Sequence, residues 1–335
     1  MGDRVRRYFG RKLLTYSITF FVAATIDWLI PRFMPGDPVA SLVSRTNGIS
    51  PDAAKALSDY YYNLFGLNQP LPVQYLNFWG SLLHGNLGLS VYGHGAPVTD
   101  MIMGAVPYTL ALLIPAILLS WWAGNSFGAL AARRRWLDST VLPMGYILTA
   151  TPYMWLALVL SFLLAFSWRI FPLSGGYGFN LEPTLTWLFF TDLVAHWVLP
   201  FLSLFLVMFG GWAIGMRNMI IYELESDYSR YLEVLGAPQS LVRKYAFRNA
   251  MLPQITGLAL QLGVIIGGQL VTEIVFSYPG LGHLVFAAIQ SADYFLLQGI
   301  FLFIIVGVLV ANFIVDIVYV IVDPRVRVSM TGGTA

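Results

Sequence analysis

The chain has 335 residues, of which 57% are hydrophobic and only 11% are charged, with a formal net charge of +2 at pH 7. Soluble domains carry roughly twice that charged fraction, so the composition excludes a soluble globular protein. It indicates an all-α polytopic membrane protein instead. Cysteine is absent, which excludes disulfides, thiol chemistry and Cys-ligated metal.

Apolar segments in chain order predict membrane-spanning helices, because each has about the twenty residues needed to cross a hydrocarbon core of roughly 30 Å. Lipid supplies no hydrogen-bond partners, so each span is expected to be helical. The six predicted spans are 13–33, 106–131, 141–168, 194–216, 254–276 and 299–322. They leave an N-terminal tail at 1–12, a long loop at 34–105, a five-helix core over 106–322 and a C-terminal tail at 323–335.

The distribution of basic residues predicts the orientation. With six spans, fifteen of the nineteen Lys and Arg residues lie on one side of the membrane. The other side has only Arg32, Arg45, Lys55 and Arg169. Because cytoplasmic loops carry the excess of Lys and Arg, both termini are predicted to be cytoplasmic.

The long loop at 34–105 is predicted to contain two short helices. Ser50-Pro51-Asp52 is typical of a helix start, and a helix of about a dozen residues is expected from there to Gly66. A second helix is expected from Pro72, with Tyr75, Leu76, Trp79 and Leu83 on one face. This second helix either rests at the outer membrane interface or forms part of a packed cap over the loop.

The interval 217–253 is polar and basic, although long apolar segments flank it on both sides. Its pattern predicts a short helix over Tyr228–Leu235, with Leu232 and Leu235 on one face. Gly236 allows a left-handed cap, and Pro238 suits the first turn of a second helix that ends before Pro253. Such a helix–Gly–helix knob can dock in a partner's groove. An ordinary basic loop is the alternative.

The order of residues in this interval resembles a known family. Asp227-Tyr228, then Gly236, then Arg248-Asn249-Ala250-Met251-Leu252-Pro253 is similar to the coupling loop of ABC-importer permeases, especially the dipeptide/oligopeptide branch. Further matching segments, in the expected order, are Met34–Pro38, Thr272–Gly282, Asp293-Tyr294, Gln298-Gly299, Asp316 and Asp323–Arg325. One departure is Arg230-Tyr231-Leu232, where the family usually has an acid and two small residues.

The resemblance implies a type I ABC importer permease with six transmembrane helices. Its expected partners are a second homologous permease, two cytoplasmic ABC ATPase subunits, an extracytoplasmic solute-binding protein and the lipid bilayer, with no nucleic acid. ATP and Mg²⁺ would bind the ATPase subunits, and this chain would have no cofactor, metal or catalytic residue. The residues implied to couple to the ATPase are Asp227, Tyr228, Arg230, Leu232, Leu235, Gly236, Ala237, Pro238, Arg243, Arg248, Asn249 and Pro253.

The sequence itself also predicts that this chain does not hydrolyse ATP. No G-x-x-x-x-G-K-[ST] phosphate-binding loop occurs in the sequence. A separate subunit is therefore expected to hydrolyse ATP, and the chain is expected to be a transport subunit rather than an enzyme.

Polar residues within the predicted spans have two interpretations. Gln261 and Gln269 either line a pore or pack in the core, and Glu273 and Asp316 are expected to have structural roles near span ends. Asp27 either lines the path or lies near the outer interface. An uncompensated charge at the bilayer centre costs on the order of 3 kcal/mol, so each acid is expected to face protein or water.

Pairs of glycines four residues apart predict close helix contacts, at Gly124/Gly128, Gly211/Gly215 and Gly263/Gly267.

The function expected overall is import of di- or oligopeptides by alternating access. Oligosaccharides or nickel are alternative cargoes of the same machine. An ion-coupled secondary transporter is a distant alternative, because few ionisable groups lie within the spans.

Overall fold

The computed structural model describes residues 2–33, 37, 39–40, 43, 50–64, 66–263 and 270–322 of the chain. Within these residues the regular elements are helices, as the composition predicts. In chain order they are α1 (Gly2–Phe33), α2 (Pro51–Leu64), α3 (Leu71–Leu83), α4 (Val98–Ala131), α5 (Arg135–Ala150), α6 (Tyr153–Leu160), α7 (Trp187–Leu224), α8 (Asp227–Val234), α9 (Gln239–Gly263), α10 (Leu270–Val275), α11 (Leu281–Gln290) and α12 (Tyr294–Val322). A π-helical turn, Ser161–Ser167, continues α6.

Several of these helices are long and apolar enough to cross a membrane. In the described part of the chain they are Gly10–Ile30, Val98–Ala131, Trp187–Leu224 and Tyr294–Ile314. The bent pair Arg135–Ala150 and Tyr153–Ser167 adds a fifth if it counts as one span. The remaining predicted span, 254–276, includes residues 264–269, which lie outside the described residues. The six-span topology therefore stays a prediction.

The chain divides into two compact units, the first of which comprises Met1–Thr109, Pro279–Val310 and Asp323–Ala335. Asp293 is fully buried there and caps α12, because its Oδ1 accepts a hydrogen bond from the Leu296 amide at 3.0 Å. Its Oδ2 accepts from the Ser90 hydroxyl at 2.6 Å and from the Tyr92 amide at 2.8 Å. One carboxylate thus joins the start of α12 to the turn that precedes α4.

Helix α3 packs along α1 in this unit. The Tyr75 hydroxyl and the Thr25 hydroxyl lie 2.8 Å apart, and the Trp79 ring stacks on Phe21 with centroids 5.1 Å apart. Tyr75 and Trp79 therefore pack against α1, whereas Leu76 and Leu83, which were predicted to share their face, are exposed. Asp27 of α1 is buried, and neither of its carboxylate oxygens has a hydrogen-bond partner in the structure.

The second unit comprises Leu110–Tyr278 and Ala311–Val322. Helix α4 approaches α7 closely, as the Gly124/Gly128 spacing predicts. A Cβ atom added to Gly128 would stand 2.3 Å from the Ala213 carbonyl oxygen, and one added to Gly124 would stand 2.5 Å from Trp212 Cβ. Either position therefore excludes any side chain larger than hydrogen.

Helix α5 crosses α7 at a second pair of glycines. A Cβ atom on Gly210 would lie 2.7 Å from the Gly145 carbonyl oxygen, and one on Gly145 would lie 2.8 Å from Ile214 Cγ1. Gly211 and Gly215 of the predicted pair are less constrained, with nearest approaches of 3.8 Å to Thr149 and 3.3 Å to the Gln254 amide. Gly267, in the third predicted pair, lies outside the described residues.

One sequence prediction about α9 is wrong. The helix does not end before Pro253 but continues through it to Gly263. Pro253 removes one backbone donor, and membrane helices tolerate this loss because neighbouring helices and local adjustments satisfy the freed group. The polar interval is also more helical than expected, since α7 extends beyond Arg217 to Leu224.

Candidate functional site

Residues 225–238 connect α7 to α9 through the short helix α8. This helix spans Asp227–Val234, one residue earlier at each end than the pattern predicts. Two short breaks flank it, because α7 ends at Leu224 and α9 begins at Gln239. The described chain therefore has a helix–Gly–helix arrangement at the place where the resemblance puts the coupling loop.

The C-terminal end of α8 is a Schellman motif. Gly236 has a φ of +77°, a left-handed conformation that glycine adopts without a steric penalty. The Ala237 amide donates to the Leu232 carbonyl at 3.0 Å, and the Gly236 amide donates to the Glu233 carbonyl at 3.0 Å. This closure fixes the angle between α8 and the chain that enters α9.

The N-terminal end of α8 is tied to the last turn of α7 through Glu223. The buried Ser229 hydroxyl donates to the Glu223 carbonyl at 2.7 Å, and the Ser226 hydroxyl donates to the same oxygen at 2.6 Å. The Tyr228 hydroxyl donates to the Glu223 carboxylate at 2.8 Å. These three bonds anchor α8 to the last turn of α7 across the break between them.

The solvent-exposed side of this connection carries an apolar patch of three residues, Tyr231, Val234 and Leu235. Their side chains are 64%, 85% and 64% exposed, respectively. The spacing of three and four residues places them together on one side of a helix. A contiguous apolar surface on a short, anchored helix is typical of a protein-binding site.

The base of the connection is a small hydrophobic core. Ala129 of α4, Met216 and Ile220 of α7 and Ala250 of α9 form a buried cluster. On α9 the buried face continues toward α8 through Ala246 and Val242, four residues apart at each step, and neither is accessible to solvent. The cluster therefore packs α4, α7 and α9 together at the base of the connection.

An ion pair joins α5 to α7 near the same base. Arg217 Nε and Nη2 donate to the two carboxylate oxygens of Asp138, each at 2.7 Å. Two parallel bonds between planar groups restrict rotation as well as distance. The side chains are 22% and 28% exposed, so solvent screens part of their attraction.

The structure has the helices and the Gly236 cap that the sequence predicts for this interval, but Leu232 and Leu235, predicted to share a face, differ in exposure. Leu232, predicted to share a face with Leu235, is half-buried, whereas Tyr231 and Val234 are exposed. The Tyr231–Val234–Leu235 spacing is a signal that sequence analysis could have used. The other predicted residues divide into an exposed group, Asp227, Arg230, Gly236, Pro238, Arg243, Arg248 and Pro253, and a half-buried group, Tyr228, Ala237 and Asn249.

A cleft of about 530 Å³ lies in the second unit beside the bend between α5 and α6. It contains Gln261, one of the two glutamines predicted to line a pore or pack in the core; Gln269 lies outside the described residues. Among the described residues the lining has no charged side chain, and it consists of Thr149, Ala150, Thr151, Pro152, Tyr153, Val207, Met208, Gly211, Trp212 and Gln261. Glu273 is buried in α10 and Asp316 is half-buried in α12, and neither lines this cleft.

Long apolar helices, several of which pack closely through glycines, define a multi-pass membrane protein. The family model for the binding-protein-dependent transport system inner membrane component matches residues 124–328. The chain belongs to this family and is located in the cell membrane.

Comparison with individual relatives points to one branch of the family. The oligopeptide transport system permease protein AppB of Bacillus subtilis is 32% identical over 315 residues, covering 93% of this chain and 96% of the relative. The dipeptide transport system permease protein DppB of Escherichia coli K12 is 30% identical over 337 residues, covering 95% and 97%. The di/tripeptide permease DppB of Pseudomonas aeruginosa is 30% identical, covering 96% and 98%. The chain thus resembles peptide permeases of ABC transporters along nearly its whole length.

Proposed function

We propose that the chain is the transmembrane permease subunit of an ATP-driven, binding-protein-dependent importer that carries short peptides. The names of its relatives support peptides as the cargo class. The observation that carries the proposal is the exposed apolar patch of Tyr231, Val234 and Leu235 on a helix anchored to the base of the bundle. It provides the attachment that a permease without an ATP site of its own requires.

The proposed mechanism is mechanical. The apolar patch inserts into a groove on a cytoplasmic ATPase subunit, and closure of the ATPase pair on ATP displaces α8. Because Glu223 ties α8 to α7 and the Schellman motif fixes the exit toward α9, these helices move with it. The buried cluster around Met216 carries the motion to α4, and the bundle alternates between outward and inward openings. Hydrolysis then resets the inner opening.

We propose six spans with both termini in the cytoplasm. Within the first unit, Trp28 and Arg32 near the end of α1 line the same cavity as Phe295 and Gln298 near the start of α12. The end of one span thus lies beside the beginning of the other, which supports an antiparallel arrangement and an equal number of crossings in each direction. The excess of basic residues on one side supports the orientation.

We propose that the neutral cleft at Gln261 contributes to the peptide path between this permease and a second, homologous one. Hydroxyl and amide groups from Thr149, Thr151 and Gln261 can hydrogen-bond a peptide backbone whatever its side chains are. The part of the lining that the structure describes carries no charged side chain, which favours cargoes of varied charge. Glu273 and Asp316 keep structural roles in this proposal.

Reconstitution tests the proposed function. The chain would be placed in liposomes with the second permease and the two ATPase subunits, with the solute-binding protein outside. We expect uptake of a labelled dipeptide only when ATP is inside with the ATPase subunits. Preferred uptake of maltotriose or Ni²⁺ would instead identify an oligosaccharide or nickel importer, and dipeptide accumulation without the ATPase subunits would contradict the proposal.

A Gly236→Pro substitution tests the role of α8 in the same system. Proline cannot adopt the φ of +77° found at this position and removes the amide that closes the Schellman motif. We expect an assembled complex whose ATP-dependent uptake is lost or strongly reduced. Normal uptake by an assembled Gly236→Pro complex would contradict the coupling role.

A further inference from the structure

Helix α3 runs antiparallel to α1 and ends beside the middle of that helix. Near the start of α3, Gln74 Oε1 accepts a hydrogen bond from Arg32 Nη2 at 3.3 Å. Five residues further on, the Trp79 ring stacks on Phe21 with centroids 5.1 Å apart. Phe21 precedes Arg32 by eleven residues, or about 16 Å at the rise of an α-helix. Helix α3 therefore advances toward the middle of the apolar segment Gly10–Ile30.

Charged residues on α1 mark the two boundaries of its span. Lys12 and Arg32 are twenty residues apart, which is about 30 Å in an α-helix and equals the thickness of a hydrocarbon core. Asp27 is the only acidic or basic residue between them. Phe21 and Trp79 therefore lie well inside the hydrocarbon core, a placement that rests on the proposed topology with α1 as a span.

The sequence around α3 is free of charge over a long stretch. Residues 60–99 contain no Asp, Glu, Lys or Arg. A segment of that length in a soluble domain carries about ten such residues. Helix α2, in the same predicted loop, is different, because its 14 residues include Asp52, Lys55 and Asp59. The composition thus suits α2 to water and α3 to hydrocarbon.

One face of α3 is apolar and exposed. Val73, Leu76 and Leu83 are 41%, 69% and 83% exposed, respectively. Their spacing of three and seven residues places them on one side of the helix. Leu76 and Leu83 are also three and four residues from Trp79, so they adjoin it on the helix surface. Because Phe21, on which Trp79 stacks, is itself 53% exposed, the exposed face of α3 continues the exposed apolar surface of α1.

The polar residues of α3 lie on another side of the helix. Gln74, Asn77 and Ser81 line a cavity of about 140 Å³ in the first unit. Phe295 and Gln298, near the start of α12, line the same cavity. A helix on the surface of a soluble protein has the opposite arrangement, with its apolar face toward the protein. Polar residues that face a cavity are instead typical of a helix with hydrocarbon on its outside.

The backbone at the C-terminal end of α3 is hydrogen-bonded within the turn. The His84 and Asn86 amides donate to the Ser81 carbonyl at 3.1 and 2.9 Å. The Gly85 amide donates to the Leu82 carbonyl at 3.0 Å. Unpaired carbonyl groups are costly inside a bilayer, and these two are paired. The turn is therefore compatible with a position below the membrane surface.

We propose that α3 is a re-entrant segment that enters the outer leaflet beside α1, and that Val73, Leu76 and Leu83 contact the acyl chains of bilayer lipids. Lipid is the occupant of this face because the face lies at the depth of Phe21 and continues the exposed surface of a spanning helix. The part of the predicted extracytoplasmic loop that meets water is then α2, and α3 belongs to the membrane-embedded part of the first unit.

Site-directed spin labelling of the assembled transporter in lipid nanodiscs tests this placement. The chain has no cysteine, so Val73→Cys, Leu76→Cys and Leu83→Cys each provide a single labelling site once the partner subunits are made cysteine-free. Collisions of the label with oxygen, which dissolves in hydrocarbon, and with anionic chromium oxalate, which stays in water, report what surrounds it. We expect frequent oxygen collisions at all three positions and a depth that increases from Val73 to Leu83.

Two control positions calibrate the measurement. Ala56→Cys is exposed on α2 and is expected to lie in water, whereas Val22→Cys is exposed near the middle of α1 and is expected to lie in hydrocarbon. We expect the label at Leu83→Cys to collide with chromium oxalate at least about tenfold less often than the label at Ala56→Cys, because an ion is excluded from hydrocarbon. Its oxygen collisions should match those at Val22→Cys.

Three results would overturn the proposal. Chromium oxalate collisions at Leu76→Cys and Leu83→Cys as frequent as at Ala56→Cys would show that the face meets water. Rare collisions with both agents would show that a protein subunit covers it. One shallow depth shared by all three labels would show that α3 lies flat at the membrane surface.

The control on α1 separates a failure of this proposal from a failure of the topology. Frequent chromium oxalate collisions at Val22→Cys would refute the span proposed for α1 and the placement of α3 with it. A hydrocarbon environment at Val22→Cys together with water at Leu83→Cys would refute the placement of α3 alone. If one α3 variant fails to assemble, the remaining two positions decide the question.

Discussion

Two regions of the second unit differ in how their small and apolar residues are placed: the α4–α7 contact is tightly packed, whereas the apolar residues of α8 are exposed. At the α4–α7 contact, Gly128 lies so close to Ala213 that an added Cβ would stand 2.3 Å from a carbonyl oxygen. On α8, by contrast, the side chain of Val234 is 85% exposed. The first region is explained by packing within the chain, whereas the second is the surface that we propose to contact a partner. Substitutions in the two regions should therefore separate stability from coupling.

The largest loss of stability is expected from Gly128→Val. The new side chain would overlap the α7 backbone, which cannot move without disturbing the neighbouring contact at Gly124, and overpacking typically costs about 1–3 kcal/mol or more. We expect a large fall in the midpoint of thermal unfolding in detergent or failure to assemble. Gly104→Val is the matched control, because a Cβ on Gly104 of the same helix meets nothing within 4 Å. Equal effects of the two substitutions would refute the close contact.

A smaller loss is expected from Arg217→Met, which breaks the bidentate pair with Asp138. Burial of both groups is partial, so solvent screening limits the cost to about 1 kcal/mol. Thermal unfolding should show a modest decrease, and the double variant Arg217→Met/Asp138→Leu should lose no more than the single one, because the pair acts as a unit. Additive losses in the double variant would show that the two residues act independently.

Gly236→Ala is expected to lower stability by about 1 kcal/mol, because alanine is strained at a φ of +77°. The effect should be confined to the end of α8. Space is not the cause, since nothing lies within 4 Å of a Cβ at this position. Hydrogen exchange of the Ala237 amide is the sensitive measurement and should become faster. Gly236→Asn is expected to have a smaller effect, because asparagine tolerates the left-handed region better. Equal exchange rates for Ala and Asn would argue against conformational strain.

Local patterns predicted the part of the site that depends on neighbours in sequence. The helix before Gly236, the left-handed glycine and the new helix after Pro238 all follow from residues within a few positions of one another. The close contact at Gly124 and Gly128 was also predictable, because the four-residue spacing belongs to a single helix. The prediction for Pro253 was wrong because it applied a rule for helices in water, whereas membrane helices tolerate an internal proline more readily and α9 continues through this one.

The remaining features depend on contacts between distant segments. The pair of Arg217 with Asp138 joins residues 79 positions apart, and no pattern within either segment indicates it. Likewise, the cleft at Gln261 and Thr149 exists only because the bend after α5 lies beside α7 and α9. Trp28 Nε1 and Arg32 Nε are buried without a hydrogen-bond partner in the described structure. In an unfolded chain both atoms would bond to water, so no sequence pattern indicates this feature.

The apolar patch should show almost no effect on stability and the clearest effect on transport. Val234→Glu and Leu235→Glu place a charge on a surface that is already exposed to solvent, so thermal unfolding should be unchanged. A charge buried without a partner in an interface is costly, so docking to an ATPase subunit should fail. Phe179→Glu is the control, since Phe179 is fully exposed in the loop predicted to lie on the opposite side of the membrane.

The most direct measurement is ATP-dependent dipeptide uptake by the reconstituted transporter carrying Val234→Glu, with retention of the ATPase subunits during purification recorded on the same preparation. The account predicts a stable permease that loses its ATPase subunits and takes up peptide at least about tenfold more slowly, while Phe179→Glu behaves as the parent. A Val234→Glu transporter that keeps its ATPase subunits and imports peptide at the parental rate would contradict it.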